Sequence, residues 1–108
     1  MGYTVKEWVD QFCSTMEDGP SLRIMRGRAI AGAALECSLL EDIRGILPRD
    51  DPWFSQIIQQ RDIYLDCVES IEARLDELGY TYGNERNYGL SSESLRLVNK
   101  ARKARTEP

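Results

Sequence analysis

Hydrophobic positions recur every three to four residues along most of this chain, and two long runs of that kind flank one short breaker. From Ser21 to about Gly45, Leu22, Met25, Ala29, Gly32, Ala33, Leu39, Leu40 and Ile43 share one broad face of a helix. From about Asp51 to Leu78, Phe54, Ile57, Tyr64, Val68, Ile71, Leu75 and Leu78 do the same, with Arg61 as the one polar interruption. Leu47-Pro48-Arg49-Asp50-Asp51-Pro52 separates them and holds two prolines. The pattern predicts a long antiparallel helical hairpin. Its second arm, at ~1.5 Å per residue, is about 40 Å long.

Two shorter helices complete the expected all-α fold. Thr4-Val5-Lys6-Glu7 reads as a capping box opening a helix over about 4–18, with Val5, Trp8, Val9, Phe12, Cys13 and Met16 on its apolar face. Gly19-Pro20 reads as its stop, and Ser21 as the cap of the next helix. Gly79 closes the third helix. Tyr80 to Leu90 has no period and reads as an ordered Tyr/Gly loop. Ser91 or Ser92 opens a short basic helix whose final residues fray. The chain therefore divides into a hairpin domain, 1–91, and a basic helix with its tail, 92–108.

Residues equidistant from the turn face each other in such a hairpin. Leu40 then meets Ile57, Ala29 meets Val68 and Leu22 meets Leu75, small against large in several layers. The same register opposes Glu36 to Arg61 and predicts a partly buried ion pair between them. Such a pair fixes register more than it stabilises, although deleting one buried partner costs about 3–5 kcal/mol. A strip of small residues, Gly27, Ala31, Ala34 and Ser38, lets another helix approach the first arm closely.

Composition narrows the chemistry. The 108 residues contain no histidine, which removes Ser-His and Cys-His catalysis and imidazole metal sites. Cys13, Cys37 and Cys67 are widely spaced and read as reduced packing thiols, or failing that as partners in an intermolecular disulfide. With no apolar run of membrane length and no leader pattern at Met1 to Lys6, the expected location is the cytoplasm. Net charge is −4: residues through Ser91 carry 9 basic and 16 acidic side chains, and those from Ser92 carry 5 basic and 2 acidic. An acidic body with a basic end argues against nucleic acid as the main partner.

Three readings of function follow. The first is a non-enzymatic helical protein, a homodimer, that binds and modulates another protein. By analogy of size and style it inhibits that protein, as an antiactivator of a transcription factor or a viral inhibitor of a host system does. The hairpin offers more apolar surface than a first helix of about fifteen residues covers, so Ile24, Ala31, Leu35, Trp53, Ile63 and Cys67 are the expected partner or dimer interface. Asp62, Asp66, Glu69, Asp76 and Glu77 form an acidic docking stripe, with Arg23, Arg26 and Arg44 as surface counterparts. The second reading is a nucleic-acid-associated regulator using the basic helix. The third rests on Glu69-x-x-Glu72 with Asp76, which resembles the carboxylate helices of the all-α nucleotide pyrophosphohydrolases. That resemblance implies a metal-dependent hydrolase, with Glu41 and Asp42 as the nearest second carboxylate cluster. The first reading calls for no catalytic residue, no cofactor and no metal.

Overall fold

The computed structural model describes residues 4–106. Met1 to Tyr3, and Glu107 and Pro108 at the end of the tail expected to fray, lie outside the described residues. The chain is all-helical. Its elements are α1 (Val5–Thr15), α2 (Gly19–Ile43), α3 (Pro52–Glu77), one turn of 3-10 helix (Glu85–Tyr88) and α4 (Ser92–Thr106), and 79% of the described residues are helical with no strand among them.

Side-chain caps set the boundaries. Thr4 accepts the Glu7 N–H at the start of α1 (3.1 Å). Asp18, rather than Ser21, caps α2: its carboxylate accepts the Ser21 N–H at 3.0 Å, and Gly19 and Pro20 become the first helical residues. Proline is tolerated there because its missing N–H is an orphan of the first turn in any case. Asp51 caps α3 by accepting the Trp53 N–H (2.9 Å), with Pro52 leading the helix. At the far end Gly79 takes φ +78°, a left-handed conformation that a Cβ would strain, and the Tyr80 N–H then folds back to the Leu75 carbonyl at 2.9 Å. Ser91 caps α4, which at 15 residues is longer than the short helix expected.

α2 and α3 pack on each other more extensively than any other pair of elements, α1 lies on α3, and α4 lies on α2. Two separate cores result. The main one gathers Val9 and Cys13 from α1, Leu22, Ile30 and Ala33 from α2, Leu65, Val68, Ile71 and Leu75 from α3, and Leu97 and Val98 from α4. The second is small: Leu40, Ile43 and Ile57, flanked by Leu39, Leu47 and Phe54. It draws only on α2, α3 and the turn between them. At Gly32 of α2 the missing side chain makes room for α3, since a Cβ there would stand 2.6 Å from the Tyr64 ring. The ring lies against bare backbone instead. The radius of gyration, 14.7 Å, exceeds the ~13 Å of a compact chain of this length, as two long helices require.

The strip of small residues on α2 is used within the chain. Tyr88 packs its Cβ where a Cβ on Gly27 would stand at 3.0 Å. Ala31, Ala34, Leu35 and Ser38 line a shallow groove of about 270 Å³ with Glu93, Ser94 and Leu97 of α4. Tyr80 and Tyr82 tie the loop down, donating from their hydroxyls to the Glu17 carbonyl (3.1 Å) and the Asp76 carboxylate (3.2 Å).

Candidate interaction surface

The polar centre of the molecule is Glu72. It sits four residues after Val68 and three before Leu75, so the periodicity of α3 turns it inward. Its carboxylate accepts from Arg26 Nε at 2.9 Å and from both terminal nitrogens of Arg102, at 2.7 and 3.2 Å. Arg26, equally placed between Leu22 and Ile30 on α2, also donates to Glu85 at 3.0 Å and lies over the Tyr82 ring at 4.4 Å. One buried cluster thus joins α2, α3, the tyrosine loop and α4. The hydrogen bonds that Arg102 donates to Glu72 hold its guanidinium above its ordinary range. Burial raises the Tyr82 hydroxyl, reinforced by the negative charge of Glu72.

This cluster corrects three sequence expectations. Arg26 is a buried structural residue, not a surface counterpart of the acidic stripe. Glu72 has both oxygens engaged by arginines, which takes the central carboxylate away from the metal-dependent reading. Among the described residues no three acidic or thiol side chains are grouped to hold a metal ion. The interhelical ion pair is Arg26–Glu72, not Glu36–Arg61: Arg61 turns along its own helix and donates to Asp62 at 3.0 and 3.1 Å. A register argument fixes the height of two residues on facing helices, not the direction of a long side chain. The signal for the real pair was present in the spacing, since both residues fall at core positions of their helices.

The acidic stripe is largely answered from within. Arg105 reaches Asp66 at 2.6 Å and stands 4.0 Å from Asp62, Arg74 binds Glu77 at 3.0 Å, and Asp76 takes the Tyr82 hydroxyl. Glu69 is exposed and makes no such contact among the described residues. The basic face of α4 is therefore a clamp for α3, with Arg96 held by Glu93 in the same helix. Solvent screens exposed pairs of this kind, so they orient α4 more than they fasten it. Of the other predicted counterparts, Arg23 donates to the Thr81 carbonyl at 2.9 Å, and Arg44 is exposed beside a groove of about 170 Å³ that also includes Arg61 and Lys100.

The six expected interface residues separate into three groups. Ile24 and Leu35, 49% and 69% exposed, lie with exposed Ala31 on the outer row of α2. Trp53 is 52% exposed at the start of α3. Ile63 is half-buried against the main core, and Cys67 is 1% exposed within it, beneath α1. Cys67 is thus withdrawn from any contact surface, because α1 docks on the face of α3 that carries it. Burial raises the pKa of all three thiols, Cys13, Cys37 and Cys67, as it does for inert packing cysteines. Conversely Trp8, expected in the core, is 49% exposed and stacked on Phe12 with ring centroids 5.7 Å apart.

What remains uncovered is concentrated at the end of the α2–α3 pair. Ile46 (76% exposed), Trp53 and Ile58 (39%) neighbour Leu47, Phe54 and Ile57 of the second core along the chain, and neither α1 nor α4 contributes a residue to that core. Ile46 and Ile58 were not singled out from sequence, since each lies off the main apolar stripe. Isolated apolar residues on a surface are ordinary; three large ones within one short stretch of chain beside an undersized core stand out. No helix of the structure is long and apolar enough to cross a membrane. No protein-family model matches this chain, and neither a curated protein nor a solved structure matches it.

Proposed function

We propose that the chain is a non-enzymatic helical interaction protein, active as a homodimer, that binds another protein through the uncovered end of the α2–α3 pair and inhibits it by occupying an interface the target needs. The carrying observation is the second core: three buried residues of α2 and α3 to which α1 and α4 supply no core residue, with exposed Ile46, Trp53 and Ile58 close by along the chain. The reading takes α2 and α3 as one antiparallel hairpin whose tip is the turn before Pro52. Arg26 on Glu72, Tyr64 on Gly32 and Ile57 beside Leu40 support that arrangement. Large aromatic and aliphatic anchors near the centre of a contact supply most of its energy, and Trp53 is the anchor here. The nucleic-acid alternative has less to stand on, since Arg96, Arg102 and Arg105 are already held by carboxylates of the chain.

The test is affinity capture from the cells that make the protein, using wild type and the tip variants Trp53→Asp and Ile46→Asp. Both side chains are largely exposed, so the variants keep wild-type helicity. Wild type retains a discrete partner and each variant loses it by at least tenfold. Equal retention by the three proteins overturns the tip as the working surface.

A further inference from the structure

We infer that a second copy of this chain docks across the Met25–Leu39 face of α2, around a two-fold axis at the level of Gly32. The inference rests on the self-association in the reading above and gives it a surface centred on Gly32, which shares only Leu39 with the surroundings of the second core.

Met25, Arg28, Gly32, Glu36 and Leu39 are spaced by three, four, four and three residues, which puts them on one side of α2. Read from either end the series has the same character: apolar, charged, glycine, charged, apolar. The two charges are opposite. A two-fold axis reverses a helix against its own copy, so that residue i meets residue j and j meets i. With Gly32 at the axis, Arg28 of each copy meets Glu36 of the other, and Met25 meets Leu39.

Both charged groups lack an answer among the described residues. Arg28 is exposed and Glu36 half-buried, and among the described residues neither takes part in a hydrogen bond or ion pair. They stand two helical turns apart, about 12 Å along the axis, too far to satisfy each other on one helix. Met25 and Leu39 are likewise only half-buried. Beside Met25 and Arg28, Val5 and Trp8 line an apolar groove of about 170 Å³, where Leu39 of the second copy is received. The half-buried Tyr64 ring already covers Gly32, so what meets at the axis is ring against ring. A chain of net charge −4 repels itself over most of its surface, and this face pairs opposite charges on contact.

Analytical ultracentrifugation tests this at micromolar concentration on the wild type, Arg28→Glu, Glu36→Arg and the double variant. The wild type sediments at twice the 12.4 kDa chain mass. Each single reversal sets like charges against each other and raises the dimer dissociation constant at least tenfold, and the double variant recovers wild-type association. Circular dichroism of all four coincides, because neither side chain holds the fold. A monomeric wild type, a dimer indifferent to the single reversals, or a double variant no better than the singles overturns the inference. If the wild type is monomeric and the tip variants still lose their partner, the two-fold contact fails and the interaction reading stands.

Discussion

Replacing Glu72 by alanine lowers the unfolding free energy by about 3–5 kcal/mol, the cost of stranding a buried charge by removing its counterpart. The Glu72 side chain is 10% exposed, and the Arg26 side chain it serves is 9% exposed. After the substitution Arg26 keeps Glu85, itself one-third exposed, and Arg102 loses the carboxylate to which it donates. The loss reaches four elements at once, because the same carboxylate joins α2, α3 and α4 and, through Arg26, the tyrosine loop. For a domain of this size ~1 kcal/mol displaces the thermal midpoint by roughly 4–8 °C, so the midpoint falls by more than about 10 °C. Glu77→Ala is the control. That carboxylate is 69% exposed and bound to Arg74, and its removal costs about 0–1 kcal/mol. Thermal and urea unfolding followed by circular dichroism measures both. A Glu72→Ala midpoint within a few degrees of Glu77→Ala would show that the cluster is incidental to stability.

Leu75→Ala belongs in the same range, at about 3–5 kcal/mol, through cavity formation rather than charge. Leu75 is 0% exposed among Leu22, Ile71 and Val68, and elements on both sides hold that core open when a side chain is cut back. Ile57→Ala removes a side chain of similar volume that is 4% exposed, yet its cost falls at the low end, about 2 kcal/mol. Besides buried Leu40 and Ile43, its neighbours are the half-buried Leu39, Leu47 and Phe54, which relax into the space. The difference between the two substitutions measures how unequal the two cores are. Equal costs would mean that the second core is packed as firmly as the main one, which would remove the physical reason for a partner there.

Periodicity reveals α2 and α3 because one-sided burial leaves a 3.6-residue trace, and the caps of α1, α3 and α4 follow from residue types that accept a helical N–H. The start of α2 was ambiguous in principle: Asp18 and Ser21 are both good caps, and Gly-Pro reads equally as a stop or as a first turn. Leu40 beside Ile57 was legible from chain arithmetic, whereas the partner of Arg61 was not, because a long side chain chooses among several carboxylates within its reach. Arg26 and Glu72 sat at core positions in plain view, but charge made them look like surface. The fate of Cys67, Trp8 and the small strip of α2 depended on where α1 and α4 dock, and a helical wheel carries no information about neighbouring helices. The same limit hid Ile46 and Ile58, whose exposure has meaning only once the cover provided by α1 and α4 is known.

The claim that the hairpin end is the working surface is tested most directly by placing a photo-crosslinking amino acid at Ile46, or at Asn99 on the exposed side of α4, in the cells that make the protein. Irradiation at position 46 gives one discrete adduct with a second protein, and irradiation at position 99 gives none. Adducts of equal yield from both positions, or none from position 46, would contradict it.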